Sequence, residues 1–242
     1  MQRQLANAAY EVARLQLALG QYQDAAHQAQ HALEGFESLY AIDGSNAEWL
    51  AQMTLTRVGL IEMKLALKDR RAAQDHLERA VVDSARLRAI DGTQIKWNVA
   101  LPGLVLLQRL VLGGDRGPLQ RDVEDYLTTV QRIEAGGKRL DADQTRIVAT
   151  TELRLGDLMA DVSQRADAKA HWLAAVQRLQ PAAMRNELPS LTLLAHARLR
   201  LGELQEARHL AQRIEASPYR PPVYADLRQQ LAHAVGAAPA HP

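Results

Sequence analysis

The chain has 242 residues, 47% of them hydrophobic and only 4% aromatic, and its 29 basic and 28 acidic residues leave a formal net charge of +1. That balance excludes a chain-wide field that would recruit nucleic acid or an anionic membrane, and the absence of cysteine excludes disulfides and thiolate metal sites. Ala, Leu, Gln and Arg dominate, the alphabet of good helix formers.

Met1-Gln2-Arg3-Gln4-Leu5-Ala6-Asn7 runs straight into an amphipathic pattern, without the apolar core and cleavage site of a secretory signal. Apolar positions continue through Val12, Ala13, Leu15, Leu17 and Leu19, and Gly20-Gln21 breaks the helix. A second helix follows through Ala25, Ala29, Ala32, Leu33 and Phe36, its small residues allowing close approach of the first. After Asp43-Gly44, Ser45 with Glu48 has capping-box spacing and predicts the next helix, through Trp49, Met53, Leu60, Ile61 and Leu65. Lys68-Asp69-Arg70 is the turn to a fourth helix with Ala73, Leu77 and Ala80 on its tight face. Pro102-Gly103 lies inside the following helix and predicts a kink or restart there. The apolar stretch Leu104 to Leu112 is interrupted by Gln108 and Arg109 and is too short to span a bilayer, so no membrane insertion is expected. Gly113-Gly114-Asp115 leads to a helix with Leu119, Val123 and Tyr126, and Asp141 with Gln144 caps the next. Its partner carries Ala168, Trp172 and Ala175, and Leu191 to Leu201, Gly202-Glu203 and Ala207 to Ile214 form the last pair. Ser217-Pro218 to Pro221-Pro222 then breaks the chain ahead of a short covering helix.

The pattern repeats. Ala41-Ile42-Asp43-Gly44-Ser45-Asn46-Ala47-Glu48-Trp49 returns as Ala89-Ile90-Asp91-Gly92-Thr93-Gln94-Ile95-Lys96-Trp97, its tryptophans 48 residues apart, and more weakly from Leu140 to Ile147. Turns within pairs fall near 20, 68, 114, 163 and 202. Five residues after each stands Ala25, Ala73, Leu119, Ala168 or Ala207. The expected fold is all-α, a right-handed solenoid of about five antiparallel helix pairs in one domain, 1–235. The pairs span about 6–40, 45–88, 93–135, 141–180 and 187–216, with a capping helix at 223–234 and a disordered tail at 236–242.

Gly20-Gln21-Tyr22 with Ala25, Ala29 and Ala32, and Leu155-Gly156 with Ala168, Trp172 and Ala175, resemble the tetratricopeptide repeat family; Pro218 stands where that family often ends a repeat. The resemblance covers residues 6–234, although the family's basic unit is about 34 residues. Asp43-Gly44-Ser45-Asn46-Ala47-Glu48-Trp49 resembles the boundary Asp-Pro-Ser-Asn-Ala-Glu-Trp of a longer-period bacterial variant. Such arrays form C-terminal regions of multidomain signalling proteins, including serine/threonine kinases and winged-helix regulators. The resemblance thus implies a protein-binding scaffold within a larger signalling polypeptide. The alternatives are a recruitment or dimerisation segment of a kinase whose catalytic domain is absent here, or a free-standing assembly module. The expected location is the cytoplasm, the alternative being an extracytoplasmic portion of a membrane-anchored parent.

No catalytic constellation emerges, so this chain is not expected to be an enzyme. His27 and His31 have metal-binding spacing, but Gln28 stands where a metalloprotease needs Glu, and a solvated helix surface explains the pair. Gly136-Gly137-Lys138 lacks the Ser or Thr and the preceding strand of a phosphate loop and reads as a helix C-cap. Trp49, Trp97 and Trp172 read as packing residues. No cofactor and no metal are expected. What remains is surface: by register, Arg14, Glu62, Gln108, Asp157 and His196 form a polar row along the inner groove of first helices, and Tyr10, Val58, Leu104, Leu153 and Thr192 a mostly apolar row beside it. These rows are expected to take a protein or peptide, with homo-oligomerisation possible and nucleic acid excluded as a partner. The terminal-carboxylate clamp of chaperone-binding members, built from Lys, Arg and Asn, has no counterpart in three successive pairs.

Overall fold

The computed structural model describes residues 1–161, 165–217 and 222–236. The expected turn near 163, Pro218 with its break through 221, and the tail beyond 236 lie outside the described residues. The chain forms two compact units, Met1–Lys138 and Arg139–Pro242. The described residues form helices joined by short turns, α-helical except for one π-helical segment, Lys96–Ala100.

Unit 1 contains α1 (Gln2–Ala18), α2 (Tyr22–Ile42), α3 (Ala47–Ala66), α4 (Arg70–Ile90), α5 (Leu101–Leu112) and α6 (Arg116–Ala135). Ala25, Ala29 and Ala32 are fully buried, so α1 and α2 pack at the close distance that small side chains permit. Around them Leu33, Phe36, Leu60 and Met63 build the first core layer, and Ile61, Ala73, Leu77 and Val105 the next.

The turns at Gly20 and Lys68 share one device. At the end of α1, Gly20 takes φ +77°, and the amide of Gln21 reaches back to the carbonyl of Gln16. Such a reversal needs a left-handed residue. At the equivalent place after α3 stands Lys68, with φ +63°, its successor Asp69 bonding to Lys64 O in the same way. A side chain in this conformation costs roughly 1–2 kcal/mol that glycine does not pay. Lys68→Gly is therefore expected to stabilise unit 1 by about 1 kcal/mol, read as a higher urea midpoint with an unchanged slope.

The first two turns between pairs are built differently, whereas Gly137 and Asn186 in the next two again take positive φ. Asp43 Oδ1 accepts from the amide and hydroxyl of Ser45 at 3.2 and 2.6 Å, and Asp91 holds Thr93 identically at 2.8 and 2.7 Å. Ser45 is thereby withdrawn from capping. The cap of α3 is Asn46, whose side chain accepts from the Glu48 amide at 3.1 Å, in place of the expected Ser45–Glu48 box. The expected box of Asp141 and Gln144 does form, with reciprocal bonds of 2.8 and 3.1 Å.

The break expected at Pro102 takes the form of a π-turn, Lys96–Ala100, directly ahead of α5. Proline has no amide hydrogen, so one bond is missing from the ladder. The chain accommodates this by widening one turn, in which the amide of Leu101 bonds to Lys96 O, five residues back.

Unit 2 contains α7 (Ala142–Asp161), α8 (Arg165–Met184), α9 (Leu188–Arg200), α10 (Leu204–Glu215) and α11 (Pro222–Gly236). One core joins Leu153, Val176, Leu179, Leu191, Leu194, Ala207, Leu210 and Ile214. Tyr224, Leu227 and Leu231 of α11 close that core. Helix α8 runs through Pro181 to Met184, past the end expected at 180, because a proline in the last turn removes only one bond. Gly156 faces Trp172 so closely that a Cβ there would lie within 3 Å of the indole and 3.0 Å from the carbonyl oxygen of Ala168.

Candidate partner-binding face

In unit 1 the first helices of successive pairs, α1, α3 and α5, carry the expected rows. Arg14 is exposed on α1, its guanidinium 3.2 Å from Glu11. Glu62 of α3 is also open to solvent and accepts a hydrogen bond from Gln108 Nε2 of α5 at 2.9 Å. Protein surrounds the Glu62 carboxyl closely enough that desolvation pushes its pKa above the ordinary carboxylate value; Gln108 and, at longer range, Arg14 oppose the shift. Among the described residues no cation lies within ion-pair distance of Glu62.

The apolar row behaves otherwise. Tyr10 and Val58 are buried and Leu104 is half-buried. The Tyr10 hydroxyl donates to Leu55 O at 3.3 Å, and its ring lies over Gly59, where a Cβ would sit 3.3 Å from it. Burial raises the phenol's pKa well above 10. Tyr10 is thus a packing residue between α1 and α3, and Gln108 itself is buried beneath Glu62.

In unit 2, Asp157 pairs with Arg200 of α9, Nε to Oδ1 at 2.9 Å, and Arg200 also donates to Gln230 of α11 at 2.5 Å. Leu153, Thr192 and His196 are buried, and the Thr192 hydroxyl donates to Leu188 O at 3.0 Å. The accessible members of the two expected rows are therefore Arg14 and Glu62, with Leu104 and Asp157 half-covered.

Several polar features were invisible from single-helix patterns. Arg57 of α3 is only 4% exposed and donates to Asp83 of α4 at 2.6 Å and to Glu37 of α2 at 2.7 Å. Burial pushes the Asp83 carboxyl up, and Arg57 pulls it partway back. Burial and then Arg57 lower the pKa of His76 nearby. Glu48 and Lys96, equivalent positions of successive repeats, form an ion pair at 2.8 Å. In unit 2 the buried Glu152 meets His171 Nδ1 at 2.5 Å. The available signal for Arg57 was its place in a helix apolar on almost every side. A cleft of about 270 Å³ opens between α4, α5 and α6, with the Arg109–Asp122 ion pair, 2.6 Å, in its wall. His27 and His31 lie on the exposed side of α2.

Antiparallel helix pairs with small residues at the close contacts, and left-handed turns at Gly20, Lys68 and Gly202, define an all-α fold of the tetratricopeptide-repeat type. Solved structures agree. A thermophilic tetratricopeptide-repeat protein of Thermus thermophilus is 20% identical, with 95% of this chain and 98% of that chain covered at a TM-score of 0.52. A Podosopora anserina kinesin light chain structure with nearly identical repeats of this type is 19% identical, covering 94% of this chain and 98% of that one at 0.53. At such identities the likeness establishes the fold. No family model matches the sequence, and no curated protein matches it.

Proposed function

We propose that the chain is a non-catalytic protein–protein interaction scaffold whose working surface is the α1–α3 face around Arg14 and Glu62, taking a peptide or protein segment that presents a basic side chain to Glu62. The observation that carries this reading is the state of Glu62. Its carboxylate is accessible, partly desolvated and held by one neutral donor, without a cation in contact. A Lys or Arg of a partner supplies the missing charge, and an ion pair in such surroundings is worth more than one in open water. The likeness of the Asp43–Trp49 boundary to long-period signalling arrays supports a place within a larger regulatory polypeptide. No helix among the described residues is long and apolar enough to cross a membrane.

The test is to recover the partner by crosslinking on the intact protein and then measure its affinity for variants. Glu62→Arg should weaken binding by at least about tenfold while the far-ultraviolet circular dichroism stays unchanged. Affinity for the unaltered chain should fall as the pH drops through the raised Glu62 pKa, because the carboxylic acid no longer attracts a cation. Equal affinity for Glu62→Arg and the unaltered chain removes this face from the function.

A further inference from the structure

We propose that two copies of this chain pair antiparallel through α1. Met1, Leu5, Ala8, Val12, Leu15 and Leu19 follow one another at spacings of four and three residues, the heptad repeat by which one helix packs along another. All are exposed, with Leu5 at 58%, Val12 at 42%, Leu15 at 66% and Leu19 at 73%. The contacts of α1 with the rest of unit 1 use a different side of the helix, through Ala6, Ala9, Tyr10 and Ala13.

The occupant is a second copy because the seam is complementary to itself. Run antiparallel about a dyad near residue 10, Leu5 meets Leu15, Met1 meets Leu19 and Ala8 meets Val12. The small residues then sit at the crossing point, where two backbones approach most closely, and the large ones fill the diverging ends. Parallel pairing in register would set Ala8 against Ala8 and Leu15 against Leu15, alternating gaps with crowding. No side-chain charge lies on the seam, and the nearest one, Glu11, pairs with Arg14 of its own helix. Covering both stripes removes roughly 1,000 Å² in total, at the lower edge of specific interfaces, so a dissociation constant in the micromolar range is expected.

The cysteine-free chain makes the register directly testable. Sedimentation equilibrium of the full chain should show a concentration-dependent shift from 26.8 kDa towards twice that mass. Leu15→Glu, at an exposed position, should leave the helical signal intact and raise the dissociation constant by at least about tenfold. Mild oxidation of a Leu5→Cys and Leu15→Cys mixture should give mainly the mixed disulfide dimer, with little self-crosslinking of either variant alone. The proposal is overturned by a chain that stays monomeric up to hundreds of micromolar, by a dimer unaffected by Leu15→Glu, or by self-crosslinking as efficient as mixed crosslinking. Glu62→Arg lies on another face and should not alter the dimer.

Discussion

Arg57→Met is expected to destabilise unit 1 by about 3–5 kcal/mol, the range for removing one partner of a buried ion pair. Arg57 joins three helices at once, through Glu37 on α2 and Asp83 on α4. Methionine fills much of the same volume, so the loss is electrostatic rather than a cavity. Asp83, 7% exposed, loses its ion-pair partner and keeps only the longer-range attraction of Arg86 and Arg79. The pH dependence identifies the cause. Burial already raises the Asp83 pKa in the folded protein, and without Arg57 it rises further. Stability from the protonated acid is complete below the unfolded carboxylate value near 4 and is lost as pH rises through the folded value. The variant's deficit should therefore be largest at neutral pH and shrink on acidification, in urea titrations at pH 7 and pH 4.5. Asp83→Asn in the Arg57→Met background should recover part of the loss at pH 7. A pH-independent deficit would point to packing instead.

Gly156→Ala is expected to cost unit 2 about 3 kcal/mol, although alanine is the better helix former by about 1 kcal/mol. The added methyl overlaps the Trp172 indole, whose nitrogen is buried without a hydrogen-bond partner, and it also crowds the Ala168 carbonyl, so α7 and α8 must separate. Adding Trp172→Ala should relieve part of the strain, giving a non-additive cycle with a coupling of about 1 kcal/mol or more. The backbone carbonyl keeps the relief incomplete. A shift in tryptophan emission accompanying the single substitution would report the displaced indole, whereas full additivity would mean that the helices part without involving Trp172.

The repeat register was legible because it depends on local volume. Ala25, Ala73, Ala168 and Ala207 stand at matching places after their turns, and all four are fully buried; a close helix contact tolerates little else. The cap at Asp141 was legible for the same reason, since both partners lie within four residues. The candidate face was read less completely. Helical periodicity gives the direction of a side chain but not how far its neighbours stand over it. Tyr10 was expected in the apolar row of the groove, yet Gly59 offers a slot across the helix interface and the ring fills it. Arg57 and Asp83 are 26 residues apart, and only the stacking of α3 on α4 makes them partners. Asn46 displaced Ser45 as the cap because Asp43, two residues upstream of Ser45, competes for the same hydroxyl.

The wide turn at Lys96–Ala100 sets the direction in which the following helix presents its side chains. Trp49 and Trp97 are equivalent, yet Glu62 lies thirteen residues beyond the first and Gln108 only eleven beyond the second. In an unbroken α-helix at about 100° per residue, that shortening would rotate Gln108 about 160° away from the direction of Glu62. A π-turn takes up roughly one residue without adding rotation, which reduces the offset to about 60°. The distortion next to Pro102 thus acts as a phase correction. A repeat two residues short is brought back to within about 60° of its azimuth, and Gln108 still reaches Glu62 across the helix boundary.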